Sequence, residues 1–160
     1  MILDHTVVKF LKRTEPLFIH LAVSNVDRHP ISVRGFGVKI DDGIDCLNIY
    51  ILKAQTEKVL SYLSSGNGVV ACLFTDGFSN ESYQIIGRFI NYKASIREDL
   101  EILTGYRKSS LKLFPKMYAK FPLSTAICDV ISYKAEEIFV QTPGPYAGSK
   151  YQKGEATNDS

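Results

Sequence analysis

The chain has 160 residues, 45% of them hydrophobic and 22% charged, so one domain can bury a core without disulfides or a structural metal. Its 19 basic and 17 acidic residues are scattered and form no stripe, which argues against nucleic acid as a main partner. Asp4 and Lys9 interrupt the N-terminal segment, and no apolar run approaches the ~18 residues of a spanning helix. We therefore expect no membrane segment and a cytoplasmic location.

The cysteines and histidines lack the spacing of metal ligands. Cys46, Cys72 and Cys128 stand far apart, each within an apolar stretch, and the three histidines are isolated from one another. This pattern predicts buried free thiols in a reducing compartment and no metal site.

A short helix opens the chain, and three strands follow it. Residues 4–13 set apolar against basic side chains, with Asp4 as a candidate N-cap, and predict an amphipathic helix that ends before Pro16. Residues 41–43, Asp-Asp-Gly, predict a hairpin between the second and third strands. Apolar runs bounded by turn residues predict these strands at 17–24, 31–40 and 45–52.

The second half of the chain mixes helices and strands. Residues 55–65 have a helical period and end at a Gly-Asn-Gly stop. Residues 97–121 are predicted to be helical in two pieces, with a break near residues 108–109 and an end before Pro122. The remaining apolar runs predict strands at 69–75, 82–92 and 126–140.

This order of elements, with short links and strands that are apolar on both faces, is typical of a closed antiparallel barrel. We predict an α+β, mainly β, barrel domain with peripheral helices over residues 1–141. Residues 142–160 are predicted to form a C-terminal arm with a disordered end. Because obligate dimer faces resemble a core cut in half, the two-faced apolar strands also predict a homodimer.

The second predicted strand carries two cations and two glycines. Glycine in a strand is costly unless another group approaches the backbone closely or the strand bulges. Arg34 and Lys39 point to opposite faces of a regular strand, so both reach one phosphate only if Gly35 or Gly37 provides a kink. Alternatively, both cations are solvated residues at strand ends.

The region from Leu17 to Arg88 resembles the pyridoxamine 5′-phosphate oxidase-like family of flavin mononucleotide (FMN)-binding split barrels. The resemblance implies a six-stranded antiparallel split β-barrel that is a homodimer with the cofactor site at the subunit interface. The family's landmarks appear in its order and at nearly its spacing, at Arg34–Lys39, Leu47–Ile51, the helix from Gln55, Val69–Phe74 and Tyr83–Gly87.

Carried over position by position, the resemblance implies a set of FMN contacts. Arg34 and Lys39 contact the phosphate and the ring edge. Tyr50 and Ile51 lie against the cofactor at the end of the third strand. The flat isoalloxazine ring is expected to lie along exposed backbone groups of Gly35, Phe36, Gly37 and Val38.

Two further groups of contacts follow from the resemblance. Lys53, Gln55 and Thr56 stand where the family has its second phosphate-binding loop, before a helix N-terminus, although the family's adjacent Arg-Lys pair is missing here. Gln84 falls on the glutamine that reaches FMN from the partner subunit. The alternative for Gln84 is an ordinary hydrogen-bonding strand residue.

The sequence allows two interpretations each for His20 and for the C-terminal arm. His20 is either a proton donor that projects into the cavity or a core histidine with satisfied hydrogen bonds. Thr142–Pro145 fixes a tight reversal, so the arm is either a flap that presents Tyr146 over a neighbouring site or a tether on a partner subunit.

The resemblance extends to fold and cofactor, and the sequence argues against pyridoxamine 5′-phosphate oxidase itself. That enzyme's C-terminal Arg-x-His segment is absent, and the chain has no Trp. We predict an FMN-binding protein and an oxidoreductase that acts on NAD(P)H or a small-molecule substrate, with no assignable catalytic residue. The alternatives are a non-catalytic flavin or small-ligand binding module, and a fold relative that lost FMN and serves as an interaction scaffold.

Overall fold

A computed structural model of the protein describes residues 1–41, 43–118 and 123–152. Short 3-10 turns lie at Arg97–Asp99 and Thr125–Ile127. The helices are α1 His5–Arg13, α2 Lys53–Ser65, α3 Leu100–Leu113 and α4 Pro115–Tyr118. The strands are β1 Leu17–Ser24, β2 Pro30–Asp41, β3 Cys46–Leu52, β4 Val69–Asp76, β5 Ser82–Ala94 and β6 Cys128–Val140.

The six strands close into an antiparallel barrel in the order β1-β2-β3-β6-β5-β4, which confirms the predicted fold class. Alternate apolar side chains fill the interior, as along β1, where Ile19 and Leu21 are fully buried. Strand β5 is longer than β4, so beyond the pair Val69↔Arg88 it continues beside β6 alone.

The helices cover different parts of the barrel. Asp4 caps α1, since its Oδ1 accepts a hydrogen bond from the Val7 N–H at 3.1 Å, as predicted. Both α1 and α2 send apolar side chains into the barrel core. Helix α3 instead packs on the outside of β2, β3 and β6, where a second core forms around Phe36, Tyr50, Leu103, Tyr106, Cys128 and Val130.

The predicted break near residues 108–109 in the helical segment is wrong. Ser109 and Ser110 are buried inside α3, and the helix ends at Leu113 with Phe114 as its C-cap. Phe114 precedes Pro115, whose ring disfavours the helical conformation in the residue before it. Residues 119–122, at the end of the predicted helical segment, lie outside the described residues, as does Asp42 in the hairpin turn.

The described part of the C-terminal arm packs on its own barrel. The chain reverses after β6 and returns beside it, with a bridge between Phe139 and Lys150. The Tyr151 hydroxyl donates to Asp4 Oδ2 at 2.7 Å, which joins the arm to the start of α1. Neither predicted alternative, the flap or the tether, describes these contacts, and contact with a second copy stays a prediction. Residues 153–160 lie outside the described residues.

The cysteines confirm the expectation of buried free thiols. All three are buried and unbridged. Burial raises the pKa of Cys72 to about 12 and that of Cys128 to about 11, so both stay protonated at neutral pH. Within the described ranges, no helix has the length and apolar character that a bilayer crossing requires.

Candidate functional site

A β-bulge in β2 brings the two predicted cations to one face. Gly35 pairs with Ile51 and Val38 with Ile49, so the two residues between them oppose a single residue of β3. Val33 and Val38 both pack in the barrel core on either side of this bulge. Arg34 and Lys39 therefore both lie on the outer surface, and the predicted kink is confirmed.

The strand register places Arg34 in a row with a second predicted residue. Arg34 pairs with His20 of β1, His20 with Leu73 of β4, and Leu73 with Gln84 of β5. Their chain neighbours fill the barrel core, so these four side chains point outward. Three strand spacings separate Arg34 from Gln84, or about 14 Å. We call the surface that carries these four residues the open face.

A groove in the open face surrounds the Arg34 guanidinium. Arg34 Cζ lies 5.5 Å from the centroid of the Phe18 ring, a cation–π distance, and the Phe18 ring in turn lies 5.8 Å from that of Phe114. The groove, the Arg34 groove below, has a volume of about 280 Å³ and is lined by Phe18, His20, Arg34, Leu73, Thr75 and Phe114. The groove therefore places the Arg34 guanidinium among aromatic and apolar side chains.

His20 adds a titratable group to this groove. Its side chain is exposed and stands directly opposite Arg34 across the β1–β2 ladder. Partial burial, and secondarily the positive charge of Arg34, lower the pKa of His20 from its ordinary 6.5. The imidazole is therefore neutral at pH 7, with one nitrogen that donates and one that accepts a hydrogen bond. Of the two alternatives from sequence, the structure favours a side chain that faces a cavity.

The two strand glycines are buried, so a flat ring along their main chain stays a prediction that the packing of this chain does not support. A Cβ on Gly35 would lie 2.6 Å from Ile19 Cγ2 inside the barrel. A Cβ on Gly37 would lie 2.6 Å from Ile102 Cγ2 of α3, and Gly37 has φ +154°. The absence of a side chain at these two glycines therefore lets Ile19 and Ile102 of the same chain pack closely against β2.

The residues predicted to lie against the ring serve packing. Phe36 contacts the Tyr106 ring of α3 edge-on, with the centroids 5.6 Å apart. The Tyr50 hydroxyl donates to Asp99 Oδ1 at 2.6 Å, and burial, followed by this contact, raises the pKa of Tyr50 far above its usual value. Ile51 is fully buried inside the barrel. A helix of the same chain thus covers this part of the predicted site.

The predicted second phosphate loop is occupied by a carboxylate. Thr56 is buried and donates its hydroxyl to Asp129 Oδ2 at 2.7 Å. Lys53 Nζ lies 3.9 Å from Asp129 Oδ1, and Gln55 is exposed on α2. Because a phosphate here would face the like charge of Asp129, we leave these residues out of the candidate site.

Gln84 lies on the open face and has a partner within its own chain. Its Oε1 accepts a hydrogen bond from Gln141 Nε2 at 3.2 Å. Sequence reasoning missed Phe18, Leu73, Thr75 and Phe114 as groove residues. Period-2 alternation could have placed Leu73 and Thr75 on one face with the register of β4 known, but no signal in the sequence brings Phe114 to this groove.

No protein-family model and no curated protein matches the chain. Solved structures with its fold include HupZ from Group A Streptococcus, with a TM-score of 0.53, 12% identity, and coverage of 91% of this chain and 98% of that one. An F420 reductase has a TM-score of 0.50 and 15% identity over 81% of this chain and 94% of its own. General stress protein 26 from Bacillus anthracis has a TM-score of 0.50 and 11% identity, with coverage of 88% of this chain and 94% of that one.

These similarities establish the fold. The chain has the split-barrel fold of the pyridoxamine 5′-phosphate oxidase-like proteins, as the sequence resemblance predicts. Identities of 11 to 15% show the architecture and assign no particular ligand or reaction.

Proposed function

We propose that the protein binds FMN in the Arg34 groove and is an FMN-dependent oxidoreductase. The observation that carries this proposal is the Arg34 guanidinium held over the Phe18 ring at the wall of an apolar groove. A planar guanidinium donates two parallel hydrogen bonds to a phosphate, and neighbouring aromatic rings suit a flat heterocycle. Lys39 lies further along the outer side of β2, past Gly37, and is not among the described residues that line the groove.

The size of the groove supports a site shared by two copies of the chain. Pockets for small ligands usually measure about 300–1,000 Å³. At about 280 Å³ the groove is at the lower limit, so it holds only part of a flavin nucleotide. A second copy packed on the open face would enclose the rest, with Gln84 on the same surface. We therefore propose a homodimer with the ligand at its interface.

The groove residues have separate roles in this proposal. Bound FMN supplies hydride exchange with NAD(P)H or a small-molecule substrate. Arg34 binds the phosphate, Phe18 and Phe114 provide an apolar wall that excludes water, and His20 holds or releases a proton at an imidazole nitrogen. One solved structure with this fold is named as a reductase, which is in keeping with this class of reaction.

The second candidate function is a non-catalytic flavin or small-ligand binding module. It is favoured by the composition of the groove, whose described lining contains no carboxylate and only His20 as a group that moves a proton near neutral pH. NAD(P)H-dependent reduction of the bound flavin separates the two candidates. Steady turnover supports the oxidoreductase, and tight binding without reduction supports the module.

The proposal is tested by the affinity for FMN. We expect purified protein mixed with FMN to hold the flavin through gel filtration and show its absorption bands. Arg34→Ala removes a charged hydrogen bond and should weaken FMN by ~1.5–3 kcal/mol, or about 10- to 150-fold in Kd. Arg13→Ala, which removes an equal charge from the exposed end of α1, is the control.

Riboflavin lacks the phosphate and sharpens this test. If Arg34 binds the phosphate, Arg34→Ala leaves riboflavin affinity unchanged while FMN affinity falls. Equal FMN affinity in both proteins would overturn the site. Light scattering checks the dimer, since a monomeric mass with FMN bound at full affinity would contradict a shared site.

A further inference from the structure

The Arg34 groove contains a second group that carries positive charge when protonated. His20 and Arg34 are direct partners in the β1–β2 register, and both line the groove. Side chains directly opposite each other on one face of an antiparallel pair have Cβ atoms ≈ 4.5–5.5 Å apart. One small anion is therefore within reach of both side chains.

We propose that His20 is the second anion contact of this groove and takes up a proton when a phosphate-class dianion binds at Arg34. The proposal deepens the proposed function, on which it rests only in taking Arg34 as the anion contact. It makes the groove selective for dianions, because two positive charges face the ligand. It also makes anion binding tighter as the pH falls.

The charges around His20 give the physical reason. Across one ladder His20 meets Arg34, and across the other it meets Leu73; the other lining residues, Phe18, Thr75 and Phe114, are uncharged. In the free groove partial burial, and secondarily the charge of Arg34, oppose protonation of His20. A bound dianion offsets the Arg34 charge and accepts a hydrogen bond from the imidazolium, and both effects favour the protonated form of His20.

Selectivity follows from the number of charges. A monoanion such as acetate is neutralised by Arg34 alone and leaves little attraction for a second cation. A dianion such as sulfate keeps one net negative charge beside Arg34, which favours the protonated imidazole. Sulfate is also fully ionised near neutral pH, so any proton taken up on its binding resides on the protein.

The test is a titration of the histidine C–H signals by nuclear magnetic resonance, with sulfate as the probe. We expect the pKa of His20 to rise by about one pH unit in sulfate, and sulfate to bind about tenfold more tightly at pH 5 than at pH 8. Sodium chloride at equal ionic strength is the control, because salt alone screens the repulsion between Arg34 and His20. His5 and His29, both exposed and outside the groove, are internal controls.

The variant Arg34→Gln tests the pairing itself. We expect the pKa of His20 to rise in the free variant and to respond no further to sulfate. A His20 pKa that is equal in sulfate and in chloride, or that rises only as much as those of His5 and His29, would overturn the proposal. Sulfate needs no flavin, so a protein that fails to bind FMN but shows the His20 response would overturn only the proposed function.

Discussion

The outer surface of the barrel has two regions that share one strand. The covered face is the part of β2, β3 and β6 beneath α3, with Phe36, Tyr50 and Val130 in its core. The open face carries Arg34, two residues before Phe36 on β2, and Arg34 lines a groove. Of the predicted cofactor contacts, Arg34 and Gln84 lie on the open face, whereas Phe36 and Tyr50 lie on the covered face. An outward-facing strand residue is available to a ligand only where no helix packs on it. Arg34 and Phe36 differ in this way although they lie two residues apart on one strand.

The largest effect is expected on the covered face. Leu103 is fully buried where α3 meets the barrel, so Leu103→Ala should cost about 2–5 kcal/mol of unfolding free energy, measured by urea denaturation. Leu73→Ala, on the partly exposed wall of the groove, should cost under about 1.5 kcal/mol and instead weaken FMN. Similar stability losses in both variants would remove the distinction between the faces.

Substitution of Gly37 sharpens the comparison at the edge of the covered face. Gly37→Ala places a methyl group against Ile102 on a backbone of positive φ, so we expect a loss of about 1–3 kcal/mol in stability. Gly43→Ala is the matched control, because its φ is +89° and no atom lies within 4 Å of the added Cβ. A smaller loss for Gly37 than for Gly43 would show that α3 is not held against β2.

A hydrogen bond beneath α3 gives a smaller effect. Tyr50→Phe removes the donor to Asp99 Oδ1, although Asp99 Oδ2 still accepts from the Ile96 N–H at 2.8 Å. We expect a loss of about 1–2 kcal/mol, because a buried carboxylate keeps one partner fewer. Tyr92→Phe, in a side chain that is 51% exposed, should leave the unfolding free energy unchanged, and an equal loss there would contradict this interpretation.

The smallest effect is expected on the open face, in the pH dependence of stability. The pKa of His20 is lower in the native state than its ordinary 6.5, so below pH 6.5 the unfolded chain binds more protons than the native chain. Stability therefore falls as the pH drops from 6.5 through the lowered pKa. Since His20 is exposed, solvent screening limits this contribution to about a few tenths of a kcal/mol. His20→Gln should flatten the profile, and His29→Gln should not.

The strands and the bulge could be predicted from sequence because their signals are local. The alternation in β1 gives its observed bounds of Leu17 and Ser24, and the two glycines of β2 indicate the bulge at its observed place. The covering of Gly37 by Ile102 could not be predicted, since these residues meet only through the packing of a distant helix. The role of Asp129 beside Thr56 likewise depends on the closure of β3 against β6.

The extra length of β5 has a consequence for amide exchange. In residues 90–94 the strand pairs with β6 along one edge, and its other edge lies past the end of β4. Backbone N–H groups on that edge point to solvent and should exchange with deuterium much faster than those bonded to β6. Ile90 and Tyr92, each 51% exposed, lie in this stretch. Slower exchange there at higher protein concentration would show directly that a second copy covers this edge.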